Sequence, residues 1–574
     1  MTLAWRTREE GHVVFIALLF VLVSVGLTLG YLRFVVGERI QFLQRLARVR
    51  ARYNAEYGLA EKGYPFITSP NFTMPDTVLE GHEIPEMRGS YRDVVCQAIN
   101  NPLTNRNEFR ARATGVSYYN GFTGVPVEVT YTEQIVFQPV GFEEYMYFTN
   151  EEKPGGGPWL GTYVSFGAND VLEGVVFSND DITMSQYGCP TFTEDSDVGT
   201  AGTFIMNGCN EDQVFQGTYE DSMPEVQWPP FAGQERVRAA ADYFFDATTL
   251  ISPGNPSRHD TLIMTEIDFS PGSFTVKRWA YVIPPVSQAG MFTGTFWDTL
   301  KMYYPKKFRD LTGMMGVYTG DIEFQHFDFP EPTDVTDYIE YRTIYDNEAV
   351  IWIEGGQVRV KGIIGGRYTV ATSSNVVYRM HYNNATLDTM PCNIWIIDDL
   401  IYEDSSPTGR VTPGSRNRLG LLSGGNVIVA NTRPNGAKNQ AFGSNVIINA
   451  AIIAMNESFL VHYWQNTTSG YNFVDLGGQV KGDGRGPARF GGVTGSGDIR
   501  GTITLWGSVT QAKRGYVKRN APGPYSISPG IGYNKNYHYD YNLRDFPPPH
   551  WPETRLTNGG ANLKLTSYGA YEGS

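Results

Sequence analysis

The feature that most constrains this chain is its start: residues 13–32 read VVFIALLFVLVSVGLTLGYL, twenty positions without a charge. At 1.5 Å per residue a helix of that length spans about 30 Å, the hydrocarbon thickness of a bilayer. A cleavable secretory signal has an apolar run of roughly 7–15 residues before a small-residue cleavage site. This run is longer and meets Arg33 with no A-x-A pattern, which argues against ordinary signal peptidase cleavage. The helix is expected to continue beyond the apolar run. Val36, Ile40, Leu43, Ala47, Ala51, Ala55 and Leu59 recur at spacings of three and four, with Arg39, Arg45, Arg48, Arg50 and Arg52 between them, until Gly63 and Pro65 break the pattern.

A short polar leader ending at Gly11, an apolar span and an amphipathic arm, in that order, resemble the type IV pilin and pseudopilin superfamily. The segment YNAEYGLAEKG (residues 53–63) is similar to the AEAGL signature that closes this helix in PilX-type minor pilins. The resemblance implies cleavage after Gly11 by a prepilin peptidase, with His12 as an N-methylated first residue. It also implies other pilin or pseudopilin subunits as partners. Major pilins carry a glutamate at mature position five, where this chain has Ile16. A carboxylate in lipid is expensive unless paired. Its absence fits a subunit at a filament tip, or a leader that is never cut and a plain membrane anchor. Arginine counting across the span favours the opposite orientation; the extracytoplasmic assignment rests on the character of the body.

That body is acidic. The first 64 residues hold nine Lys/Arg against five Asp/Glu, so the net charge of −14 leaves −18 on the remainder. Such a surface repels phosphate backbones and argues against nucleic acid as a partner. With 63 Gly, 35 Tyr, 32 Phe and 18% charged residues, the composition points to a turn-rich β protein rather than a helical enzyme. No second apolar run after residue 64 is long enough to span a membrane.

The fold class expected is α+β, mostly β. A leader (1–11) and the helix (12–64) precede a small pilin-like β domain (65–140), with strands at 91–98, 108–118 and 125–138. A β-rich domain with an inserted segment covers 141–345, and a β-solenoid-like domain covers 346–550, with a β-sandwich as the alternative. Residues 551–574 read as a loose tail. Short apolar runs separated by Gly, Asn and Asp turns carry the solenoid reading, although no fixed period emerges. A helix is expected at 234–247 (QERVRAAADYFFDA), and the segment 250–345 reads as an insertion packed across the solenoid. The phrases YMYFTN (145–150), GVVFSNDD (174–181), CPTF (189–192), IIDDLIY (396–402) and YHYDYNLRDFPPP (537–549) resemble, in order, a family of uncharacterised pilin-anchored bacterial surface proteins. That family implies architecture rather than chemistry.

Cys189 and Cys209 each sit beside a glycine with nineteen residues between them, as a disulfide in an oxidising compartment would. Cys96 and Cys392 lie in apolar strand-like runs, where two buried thiols and a bridge both fit. Asp195 and Asp197 in D-S-D-V-G offer oxygen ligands at alternate positions, the weak beginnings of a calcium loop; no other cofactor is expected. Asp398 and Asp399 head an acidic cluster with Glu403 and Asp404, the arrangement a carbohydrate-active solenoid enzyme would use. No H-E-x-x-H, G-x-S-x-G or Walker motif occurs, the glycine-rich run 482–492 lacks a phosphate-binding lysine, and His538 and His550 read as structural. The chain therefore reads as a non-enzymatic minor or tip subunit held in a bacterial inner membrane. It would display its β-rich head at the cell surface or on a pilus for adhesion to a glycan or cell-surface ligand, or for filament assembly. A membrane-tethered carbohydrate-active enzyme is the alternative, and a secretion-system scaffold a third reading.

Overall fold

The structure, a computed structural model, describes residues 6–69, 76–85, 89–101, 106–153, 163–228, 233–248, 261–282, 331–332, 334–379, 387–430, 435, 446–461, 499–515, 517–519, 531–555 and 562–571. Strand is the prevailing element and one long helix the main exception. Two compact units partition the chain: residues 1–101, 106–139 and 563–574 form the smaller, and residues 102–105 and 140–562 the larger.

The smaller unit is built on helix α1, Arg6–Gly58, which runs into a π-helical turn at Leu59–Gly63 and a last turn at Tyr64–Ile67. Ala47, Ala51 and Ala55, one turn apart, are buried against an antiparallel sheet. Its central strand is Arg106–Asn120, paired on one edge with Val94–Asn101 and Gly89–Tyr91, and on the other with Pro126–Pro139. Small residues let the backbones meet: a Cβ at Gly115 would lie 1.8 Å from the Ala51 carbonyl oxygen and 2.4 Å from the Ala55 nitrogen. Beside this contact Asn54 Nδ2 donates to the Val116 carbonyl at 2.8 Å. The C-terminal segment is not a loose tail. Leu563–Ala570 pairs antiparallel with Pro126–Pro139, because that strand would otherwise present a long unpaired edge.

In the larger unit most strands pair in parallel. One ladder joins Tyr243–Asp246, Glu348–Glu354, Arg367–Thr372, Arg418–Ser423 and Val446–Ala454 in chain order. Another joins Tyr147–Glu151, Val175–Ser178, Asp197–Thr200 and Thr218–Glu220. Ile499–Lys513 lies between them, pairing with Val446–Ala454 on one edge and with Tyr147–Glu151 on the other. Val446–Ala454 is buried at all nine positions, which is why it reads as a continuous apolar run rather than an alternation.

The larger unit departs from the expected boundaries in two places. Helix at 234–247 is confined to Gly233–Ala239, and Tyr243–Asp246 is a strand, since aromatic residues gain more by joining the ladder beside Glu348–Glu354 than by extending a solvated helix. Within the expected insertion 250–345, Thr261–Pro271 pairs in parallel with Gln357–Gly365 and forms a hairpin with Ser273–Val282, so this stretch belongs to the main sheet. Residues 283–330 lie outside the described residues.

The contact at Gly115 predicts that Gly115→Ala loosens α1 from its sheet. Overpacking of this kind costs about 1–3 kcal/mol. Urea denaturation of the detergent-solubilised chain should show the loss, and an unchanged midpoint would mean that the helix is not seated on the sheet as described.

Candidate functional site

The residues singled out from the sequence, together with the buried charges, fall into three sets. The first is the bare half of α1. Gly11 lies within the helix, and His12 and Ile16 are exposed, the latter by 52%. The most apolar 18-residue window from His12 onward has a mean hydropathy of 2.8 and none of it is buried. A helix of this length and composition can cross a membrane, and a signal sequence near an N-terminus has the same character. At the other end of the helix lies an open cleft of about 370 Å³ lined by Gly81, His82, Glu83, Ser90, Tyr91, Arg92 and Asp93. The Tyr91 ring lies against Gly58, where a Cβ would come within 2.7 Å. Its hydroxyl donates to Glu61 at 2.6 Å and meets His82 Nδ1 at 2.9 Å. Desolvation, with Glu61 second, raises the Tyr91 hydroxyl well above its ordinary range.

The second set gathers the carboxylates, which are engaged locally. Asp398 and Asp399 sit where the ladder with Gln357–Gly365 shifts register, three residues on their strand (397–399) facing one, Lys361, on its neighbour. Asp398 accepts the Asp399 N–H at 2.8 Å, and Asp399 Oδ1 accepts the Ile447 N–H at 3.0 Å. Asp404 accepts from Ser415 Oγ and Asn417 Nδ2, both at 2.9 Å. Asp195 is exposed in a turn, and Asp197 accepts from Thr218 Oγ1 at 2.7 Å. Among the described residues no group of three or more His, Cys, Asp or Glu is placed to hold a metal ion. Cys189 and Cys209 form a disulfide with Cα atoms 5.8 Å apart. Cys96 and Cys392 are free and buried in different units, burial pushing their thiols up to about 11 and about 12.

The third set, the buried charges, was not legible in the sequence. Glu266, fully buried, is surrounded by Lys277 at 3.2 Å, Arg359 at 3.1 Å and Lys361 at 3.2 Å from the two neighbouring strands. Arg514 donates to Glu152, each side chain 1% exposed, and Lys535 donates to Asp170 at 2.8 Å. The Arg514 guanidinium lies 3.5 Å from the centre of the Phe166 ring. His538 is likewise held, with Nδ1 2.6 Å from Glu173 and its ring stacked on Trp506. The spacings in sequence, 362 to 365 residues, left no local signal for these pairs. No protein-family model, curated protein or solved structure matches the chain.

Two outcomes follow from these placements. A thiol probe should label no cysteine in the native protein, two after denaturation and four after denaturation with reductant. Removing the disulfide by Cys189→Ser should destabilise by about 3 kcal/mol, read as a shift in denaturant midpoint. Separately, Asp399→Ala should cost about 1–3 kcal/mol by leaving the Ile447 N–H unpaired, and Asp399→Asn, which keeps an acceptor, clearly less. Equal losses in the two variants would show that the negative charge, and not the hydrogen bond, is what matters there.

Proposed function

We propose that this chain is a pilin-like, helix-anchored subunit that carries a large β-rich head outside the membrane. The observation that carries the reading is the division of one continuous helix into two environments. From Val13 to Leu32 the large apolar side chains are at least half exposed, whereas Ala47, Ala51 and Ala55 are seated on an antiparallel sheet. A helix whose first half needs lipid or an apolar partner, and whose second half fixes a small sheet, is what the type IV pilin resemblance implies. In this reading Gly11 is the last leader residue, His12 the mature terminus, and the inner membrane the site of anchoring before any assembly with other subunits. Ile16, with no carboxylate to offer a neighbour's terminal amine, suits a tip position.

The larger unit is read as a β-solenoid in preference to a sandwich. Consecutive parallel pairing supports this, because sandwiches are built largely from antiparallel hairpins. Display and adhesion are preferred to catalysis because Asp398 and Asp399 are committed to backbone N–H groups. Glycan or cell-surface ligands would then meet exposed aromatic side chains such as Tyr187, Tyr219 and Tyr541.

The mature N-terminus tests the proposal. Terminal-peptide mass spectrometry of membrane and sheared surface fractions should find a chain beginning at His12, N-methylated. A start at Met1 or Thr2 would reduce the helix to an anchor without filament processing, and a start beyond Leu32 would overturn the anchor altogether.

A further inference from the structure

The order of strands in the larger unit differs from their order in the chain. Tyr147–Glu151 begins a stack that continues through Val175–Ser178 and Asp197–Thr200 to Thr218–Glu220. The chain then starts a second stack at Tyr243–Asp246, which ends at Val446–Ala454. Ile499–Lys513 joins the last strand of the second stack to the first strand of the first. Ile531–Tyr539 makes the neighbouring junction, pairing with Ile499–Lys513 and with Val171–Glu173. Ten strands at about 4.8 Å put the ends of this ladder roughly 43 Å apart. The connecting residues 221–242 can reach about 75 Å when extended, so they can run back along it. Their contacts follow that path: Val226 bonds Asn179, Gln234 bonds the Thr372 carbonyl, and Asp242 accepts the Val350 N–H.

Two of the buried ion pairs cross the junction. Glu152 and Asp170 come from the first stack, Arg514 and Lys535 from the closing strands. Gln511 adds bonds to Tyr147 Oη at 2.6 Å and Thr149 Oγ1 at 3.3 Å. Buried charge also occurs away from the junction, at Glu266 with its three cations and at Arg418 with Asp540 3.9 Å away. A buried ion pair adds little stability over an apolar pair of the same volume, and breaking one partner leaves an uncompensated charge. Such pairs are suited to fixing a register.

We propose that the strands Ile499–Lys513 and Ile531–Tyr539 latch two separately formed strand stacks, with Glu152–Arg514 and Asp170–Lys535 selecting the closed register, and that the junction opens as a unit. The open form would expose the edges of Tyr147–Glu151 and Val446–Ala454 while each stack keeps its own pairing. The device is independent of whether the N-terminal helix is a pilin anchor.

Hydrogen exchange read by mass spectrometry on the full chain tests this. Amides of 147–151 and 499–513 should exchange together, ahead of 348–354 and 367–372, and Arg514→Ala should speed the first group at least tenfold while leaving the second unchanged. Should that variant not fold, Glu151→Cys with Lys513→Cys decides, since these residues face each other across the junction. Its disulfide should slow the first group at least tenfold, and reduction should restore the parent rate. A single common rate across both stacks in the parent, or no effect of the disulfide, would overturn the latch.

Discussion

Backbone hydrogen bonding on both edges of Ile499–Lys513 is the constraint on which the larger unit depends. The outer edge of the first and last strands in a stack of parallel strands presents a row of unsatisfied N–H and C=O groups. Val446–Ala454 and Tyr147–Glu151 would each present one, and the same strand satisfies both. The apolar interior runs through it: Ile452 and Ile453 in one stack and Phe148 in the other belong to one buried cluster together with Val509 of the closing strand. Buried charges are tolerable at this place because each meets an opposite charge across the junction, with Phe166 packed against Arg514.

This topology also explains how much of the fold could be read from the residues. The mostly β character, the long helix and the strands of the small sheet were visible in apolar spacing and turn residues, since those signals are local. Arg106–Asn120 and Pro126–Pro139 lie within a few residues of their expected positions. The absence of a fixed period has a physical cause: the paired strands starting at Tyr243, Glu348, Arg367, Arg418 and Val446 are separated by very unequal lengths of chain, and the two stacks meet through Ile499–Lys513, a strand from late in the chain. Tyr243–Asp246 and Leu563–Ala570 were misread for a related reason. Their partners, Glu348–Glu354 and Pro126–Pro139, are about a hundred and more than four hundred residues away, and tertiary pairing overrode local propensity.

The acidic residues show the same limit at the level of a site. From sequence, Asp398 and Asp399 support only the alternative, enzymatic reading, because acid pairs on a solenoid face are what carbohydrate-active enzymes of that shape use. In place they sit at a register shift, and Asp399 supplies an acceptor to the Ile447 N–H, a group on a neighbouring strand. Glu152 and Asp170 attract no notice in the sequence, yet they are among the most deeply buried carboxylates. What distinguishes the two sets is the partner, and the partners of Glu152 and Asp170 lie more than 360 residues onward.

The bare half of α1 is governed by a different balance. Fifteen large apolar side chains between Val13 and Leu32 are at least half exposed. Full burial of such a side chain is worth about 1.5–3 kcal/mol, so even half of that over the run is on the order of 10–20 kcal/mol. Whole domains are stable by about 5–15 kcal/mol. The run therefore cannot be an indifferent extension in water; it must enter lipid, pack on another apolar surface, or be removed. The seated half fixes where that demand is felt, because Ala47, Ala51 and Ala55 bind the helix to its sheet with the backbones in contact at Gly115. A continuous helix transmits that anchoring to the small sheet directly, with no linker to absorb it.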